Sequence, residues 1–267
     1  MPRTALASLL VIACLHLCAC ATLPNGKPDP SDPWERMNRT TYKVNDAVDR
    51  AVTRPIALAY QRHTPRPVQT GVSNFVDNLT YPITIVNDLL QARFRLFFRD
   101  TGRLLINTTM GLGGIFDPAS SAGLEKNQQD FGQTLGHWGA PPGPYFVIPL
   151  LGASDVRDGL GRLPDSYLFT PQTWIKDWRV RYGLWGVELL DTRAHLLDAE
   201  KALDGVYDRY AFIRTAYLQR RAYLINQGRT NQKEREEQQY RDEQKILEES
   251  GPDEPDSGAP SQPPPKP

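Results

Sequence analysis

Cys14, Cys18 and Cys20 are the whole cysteine content of the 267-residue chain. A thiol can close a disulfide, ligate a soft metal or act as the nucleophile that takes up an acyl group, and its surroundings decide which. These three lie in or directly behind the apolar run Ala5 to Leu17, which only Ser8 and His16 interrupt and Arg3 precedes. A positive start, a short apolar run and small residues at a cleavage point make a secretory signal. The run is too short to span a bilayer, which takes roughly 20 apolar residues. Removal of residues 1–19 leaves Cys20 as the single cysteine, so the mature chain has no internal disulfide even in an oxidising compartment. Acylation is the chemistry this favours. Cleavage without lipid and a retained anchor are the alternatives.

Other reactive side chains are sparse. His63, His137 and His195 are far apart and share no ligand spacing, and one remaining cysteine cannot build a structural zinc site. No Gly-x-Ser-x-Gly occurs. A Ser-His-Asp set brought together only in space stays open, because such sites are defined by geometry. Asp155, Asp158 and Asp165 stand near Arg157 and Arg162 and read as paired or solvated charges. The stretch "GLGGIFD" (111–117) imitates a dinucleotide loop, but its sixth position is Phe116 instead of glycine and no strand pattern precedes it. Its glycines read as close packing or unusual backbone angles. The balance is against an enzyme.

The elements that must carry any function are helical. "SDPWERMNRTTYKVNDAVDRAV" (31–52) offers Ser31 as a cap and Pro33 near the first turn, with Trp34, Met37, Val44, Val48 and Val52 at helical spacing and Thr41 completing the stripe. Arg54-Pro55 ends or kinks it. Val68, Val72, Phe75, Val76 and Leu79 form the next apolar face, and Pro82 interrupts that helix. Residues 83–111 form one long helix or two short ones whose apolar residues wrap beyond one stripe, as in a buried helix or one lying in lipid. "FGQTLGHWGAPPGPYFVIPLLG" (131–152) holds five glycines and four prolines; with Pro149 inside its apolar end, Tyr145 to Leu151 reads as a stiff loop. Trp174, Trp178 and Trp185 fall close to one helical face, either core or headgroup level. A last amphipathic helix, 205–228, stops at Gly228.

Formal net charge is zero, yet ten of the 31 acidic residues and five of the 31 basic ones lie in 231–267. The body is mildly basic, enough to sit against anionic headgroups and too little to argue for nucleic acid. The expected organisation is a signal at 1–19, a tether at 20–31, one helical domain at 32–228, and a polar, Pro- and Glu-rich disordered tail at 229–267.

Two resemblances sharpen this. The string Leu17-Cys18-Ala19-Cys20 resembles a bacterial lipobox, which implies lipid attachment at Cys20; Ala21, where retained lipoproteins tend to carry Asp, implies export to the outer membrane. The blocks "DPWERMNRTTYKVNDAVDRAVTRPIALAY" (32–60), "GVSNFVDNLTYPITIVNDLLQ" (71–91), "RLLINTTMGLGGIFDPA" (103–119), "FGQTLGHWGAPPGPYFVIPLLG" (131–152) and "VRDGLG" (156–161) occur in order through the body and resemble the MlaA (VacJ) outer-membrane lipoproteins. That resemblance implies an all-α, mostly helical single domain, ring-like around a central amphipathic channel and lying in the inner leaflet. It implies phospholipid transport that maintains outer-membrane lipid asymmetry, with lipid handed to a periplasmic carrier, MlaC, and with a trimeric porin as a partner. It implies no cofactor, and a lipid-anchored protein on the periplasmic side of the outer membrane. Composition and the family motif together place the lipid path at Asn107, Gly111, Gly113, Gly114, Phe116, Trp138, Gly143, Pro144 and Tyr145. A non-transporting envelope adaptor and, further off, a lipid hydrolase are the rival readings.

Overall fold

The computed structural model describes residues 29–200, 203–226 and 240–241. Cys20, the signal, most of the tether, Gly228 and nearly all of the tail lie outside the described residues. The chain divides into two units, Met1–Ile225 and Asn226–Pro267. The first is mostly helical, with one short β-hairpin.

Helix α1 (Glu35–Val48) starts later than the cap rule predicts. Ser31 turns back instead, its N–H and Oγ donating to Asp29 Oδ1 at 2.9 and 2.7 Å. Pro55 does not end the helix. A widened π turn, Asp49–Thr53, precedes it and leads directly into α2 (Arg54–His63). Arg54 N–H reaches back five residues to Asp49, so the wide turn absorbs the donor that Pro55 lacks.

Helix α3 (Arg66–Leu90) likewise runs through Pro82, the predicted break. It packs chiefly on α4 (Phe94–Thr109), and Tyr81 and Thr84 beside the proline are buried. Tertiary contacts therefore hold a turn that local sequence would open. Ala92, at φ 55°, makes the bend between α3 and α4, so residues 83–111 are parts of two helices. Short α5 (Pro118–Ser121), α6 (Phe131–His137) and α7 (Val156–Pro164) are capped by the carboxylates of Asp117, Asp130 and Asp155. A π turn (Asp165–Phe169) and a 3₁₀ turn (Pro171–Trp174) lead to α8 (Trp178–Glu200). Helix α9 covers 209–226.

Residues 145–148 are a strand, and only 149–151 form the turn of the expected loop. Tyr145–Ile148 (β1) pairs antiparallel with Gly152–Asp155 (β2), in register Tyr145↔Asp155 and Ile148↔Gly152. Pro149 sits in the turn, outside the ladder, so it removes no ladder donor. The outer edge of β1 is covered by asparagine side chains of α1. Asn38 accepts from Val147 N–H and donates to Tyr145 C=O at 2.9 and 3.1 Å; Asn45, two turns on, accepts from Leu150 N–H and donates to Ile148 C=O at 2.8 and 2.9 Å. Two amides a heptad apart thus stand in for a third strand and satisfy an edge that would otherwise be unpaired.

In α1 a polar side chain holds the buried face. Asn38 is buried, whereas Trp34, Val44 and Val52 of the apolar stripe are exposed and Met37 and Val48 are half-buried. Purely apolar clusters are small: Ala57 with Ala194 and Leu197, and Tyr145 with Val147 and Tyr210.

Candidate functional site

Among the described residues, nine apolar side chains are buried and eighteen polar or charged ones are. A water-soluble domain buries the opposite mixture. Here the interior is built from hydrogen-bonded charges, and large apolar side chains are left outside.

Helix α4 shows the inversion most plainly. Asp100, Arg103 and Asn107, at i, i+3 and i+7, face inward and are buried; Phe94, Phe98 and Leu105, at i, i+4 and i+11, face outward and are exposed. Each inward group is satisfied. Arg103 donates to Leu124 C=O, to Ser120 Oγ and to Asp117. Asn107 donates to Asp117 Oδ1 at 2.9 Å and accepts from Ala119 N–H at 3.1 Å. Asp100 accepts from Tyr81 Oη, Arg99 and Asn127.

A second network joins α6, α7 and α9. Arg221 grips Asp130 with two bonds of 2.6 and 2.8 Å, and its Nε lies 2.5 Å from Asp158 Oδ2 in poor hydrogen-bond alignment. Burial alone would push Asp130 up, but Arg221 outweighs it and holds the carboxyl below the usual range. Asp158 also accepts from Tyr217 Oη and Arg157 Nε. The helices approach on glycine: a Cβ on Gly161 would sit 2.5 Å from Gly132 N, and one on Gly132 would sit 2.5 Å from Asp158 Oδ1. A third network centres on Asp32, which accepts from Asn38, Tyr210 and Arg214.

Asp88 and Asp100 are both fully buried, and the Asn127 amide donates to each. Burial, then the hydrogen bond with Asp100, push Asp88 up to about 8, so Asp88 holds its proton at neutral pH. The unfolded Asp88 gives up its proton near its ordinary 3.8. Between the two values the folded chain holds the extra proton. This group's stability is full below the lower value and is lost as pH rises through about 8. Asp88→Asn retains a donor for Asp100 and cannot titrate. It is expected to flatten the fall in melting temperature as pH rises; an unchanged slope would show that Asp88 carries no proton.

The residues predicted to line a path fall into two groups. Gly111, Gly113, Gly114 and Phe116 belong to the loop after α4, which docks on the first half of α3: Asn78 donates to Gly113 C=O, and Asn74 to Ile115 C=O. Gly114, at φ 93°, admits no side chain, since a Cβ would lie 2.3 Å from Asn78 Cβ. Met110, Leu112, Ile115 and Phe116 stand exposed around this tightly held backbone, forming an apolar knob. Asn107 lies beneath, buried, with both ends of its amide committed to the Asp117–Ala119 turn. It borders a cavity of about 10 Å³, the size of one water, beside Asp77, Tyr81 and Lys126.

Of the second group, Trp138 alone reaches the other end of α3. Exposed Trp138 donates its indole N–H to Leu90 C=O at 3.1 Å. Gly143 is also exposed; its φ of 70° is what a side chain there would strain, not burial. Pro144 accepts from Val156 N–H. Tyr145 is only 1 % exposed and packs edge-on against Tyr210 and Tyr217, and burial pushes its phenol up to about 12. It is a core residue. The docking points Asn78 and Leu90 are about 18 Å apart along α3, so the two groups do not converge on one spot.

Sequence reasoning left the direction of the tryptophan face open and missed how far that face extends along α8. Trp178, Tyr182, Trp185, Leu189 and Leu196, at i, i+4, i+7, i+11 and i+18, are all exposed, and Asp191, Ala194 and Leu197 are buried behind them. The periodicity was available as a signal; its direction was not. Among the described residues, no helix is long and apolar enough to cross a membrane.

One cluster contains the hydrolase side chains without the hydrolase geometry. Ser73 Oγ donates to Asp191 Oδ1 at 2.6 Å, and His195 Nδ1 lies 3.6 Å from Asp191 Oδ2. The serine is bonded to the carboxylate, not to the imidazole that would have to take its proton.

The family model for MlaA lipoprotein matches residues 30–224, all but a few positions of the helical unit. The chain belongs to the MlaA lipoprotein family. A family member from Shigella flexneri, named as the intermembrane phospholipid transport system lipoprotein MlaA, is 35% identical over 85% of this chain and 91% of its own length. The Haemophilus influenzae protein of that name is 32% identical over 85% of this chain and 92% of its own. A solved structure described as the structural basis for maintenance of bacterial outer membrane lipid asymmetry is also similar. It is 35% identical, covers 73% of this chain and 99% of its own, and superposes with a TM-score of 0.65.

Proposed function

We propose that the protein is an intermembrane phospholipid transporter that removes mislocalised phospholipid from the outer leaflet of the outer membrane and passes it to a periplasmic carrier of the MlaC kind. The observation that carries this reading is the inverted burial: a charged, hydrogen-bonded interior under exposed Phe94, Phe98, Leu105 and the 110–116 knob. In water that arrangement leaves too much apolar surface uncovered; in lipid it is the stable one. In this reading the unit rests in the inner leaflet of the outer membrane, anchored through lipid on Cys20 and held by a trimeric porin. The relatives named for intermembrane phospholipid transport support the same conclusion.

A phospholipid needs a passage polar for its headgroup and apolar for its chains. The 111–116 loop, docked on the first half of α3, and Trp138, docked at its C-terminal end, serve as the ends of such a passage. Their separation of about 18 Å compares with the ~15 Å hydrocarbon depth of one leaflet. Exposed Phe116 and Trp138 meet acyl chains; Asn107, Gly111 and Gly114 hold the knob, and Gly143 and Pro144 hold the turn that leads into β1. A ring closed around this passage is the family-like architecture.

The test is complementation. In a Gram-negative strain lacking its own MlaA lipoprotein, this chain is expected to restore low outer-leaflet phospholipid, read by the lipid accessible to an added impermeant lipase. A chain present in the membrane at normal abundance that leaves asymmetry uncorrected would instead favour the adaptor reading.

A further inference from the structure

The start of α8 carries a pattern that neither the helix nor the core explains. Arg179 and Arg181 lie in its first turn, with Lys176 just ahead, and that turn contains no acidic residue. Cations there oppose the helix dipole. Asp177, the one acid nearby, is occupied with the backbone, accepting from Arg179 N–H on its side chain and from Arg181 N–H on its carbonyl. Among the described residues, no carboxylate pairs with Lys176, Arg179 or Arg181. Instead the two guanidinium groups lie over aromatic rings, Arg179 5.7 Å from Trp178 and Arg181 5.3 Å from Tyr182. Those rings, with Trp174 and Trp185, are at least half exposed. The acids of α8, Glu188, Asp191, Asp198 and Glu200, all lie beyond its first two turns, where the outward stripe changes from tryptophan and tyrosine to Leu189 and Leu196.

We propose that the first two turns of α8 form a docking surface for anionic phospholipid headgroups. Trp174, Trp178, Tyr182 and Trp185 sit at headgroup depth, where amphipathic rings are favoured. Lys176, Arg179 and Arg181 supply the cations that lipid phosphate and anionic headgroups complete. The unpaired cations, placed against the helix dipole and beside rings that favour the interface, point to this occupant over a protein partner. Clustering them at one end also orients the unit in its leaflet. The proposal rests on the membrane-immersed reading of the unit and adds headgroup selectivity to it.

The full chain, reconstituted in phosphatidylcholine vesicles, is titrated with spin-labelled phosphatidylglycerol or with spin-labelled phosphatidylcholine, and tryptophan quenching is read. A cation near an anionic surface is worth about 1 kcal/mol, roughly a fivefold enrichment. Labelled phosphatidylglycerol is therefore expected to quench at a severalfold lower mole fraction, and added salt is expected to narrow the gap. The triple variant Lys176→Gln, Arg179→Gln, Arg181→Gln keeps every tryptophan and alters exposed or half-exposed side chains, so its melting temperature should hold; its two quenching curves should coincide. Coincident curves in the unsubstituted protein would overturn the docking surface and leave membrane immersion standing. A gap that survives in the triple variant would also overturn it, because the selectivity would then lie elsewhere. Quenching by neither lipid would remove the immersed reading as well.

Discussion

Arg221→Met is expected to cost the helical unit about 3–5 kcal/mol, the usual penalty for removing one partner from a buried charge network. The substitution leaves Asp130 and Asp158 without the cation that holds both, and Asp130 sits at the N-cap of α6. The fold here is polar inside, so the loss is not offset by better apolar packing. It is read as a fall in the denaturation midpoint of the detergent-solubilised protein, with lowered abundance in cells. The pH dependence changes as well. In the parent, Asp130 is held below its unfolded value, so its contribution is present above that value and is lost as pH falls through the lowered one. Without Arg221 the carboxyl regains proton affinity, so the variant's stability, lower throughout, should fall less steeply toward acid than the parent's. A midpoint within experimental error of the parent would mean that the Arg221 network is incidental to the fold.

Phe94→Asp with Phe98→Asp is expected to do the reverse, abolishing transport while sparing the fold. Both rings are exposed on the outward face of α4, so neither is part of the packed interior. Placing a carboxylate at a lipid-facing helix position costs roughly 2.5–3.5 kcal/mol each on insertion scales. The unit would therefore be displaced from its depth in the leaflet while its helices stay folded. The measurement pairs melting temperature in detergent with outer-leaflet phospholipid in the complemented strain. Normal melting with asymmetry uncorrected is the expected pair. Full correction by the double variant would show that this face does not meet lipid.

These two variants separate what the two halves of α4's pattern do. Asp100, Arg103 and Asn107 hold α3, α5 and the 117–127 segment together through hydrogen bonds. Phe94, Phe98 and Leu105 stay exposed on the outward face and so remain available to the surroundings. A buried polar group is stable only when it is fully bonded, and these are.

Much of the secondary structure was legible in local sequence. The helical periods of 83–111 and of the tryptophan-bearing segment, and the turn chemistry around Pro141, Pro142 and Pro144, follow from side-chain spacing and backbone restriction. The family, too, could be read from ordered blocks of sequence, and the match over 30–224 agrees with it. Local rules failed where a distant partner intervened. Pro82 lies inside α3, where α4 packs against that helix, Pro55 follows a π turn that takes up its missing donor, and the strand Tyr145–Ile148, paired with Gly152–Asp155, has its other edge covered by Asn38 and Asn45 from over a hundred residues away.

The sequence by itself determined which residues repeat on one side of each helix, because a period of 3.6 is a property of the backbone and needs no neighbour. Only the tertiary structure decided which side faces in. Burial depends on whether partners exist for the polar groups, and the partners of Asn38, Asp88, Asp100 and Arg221 come from elements far away in the chain. The usual assumption that apolar stripes mark the core holds for a protein surrounded by water. In this protein the hydrogen-bond partners lie inside, so the apolar stripes of α1, α4 and α8 were left on the outside.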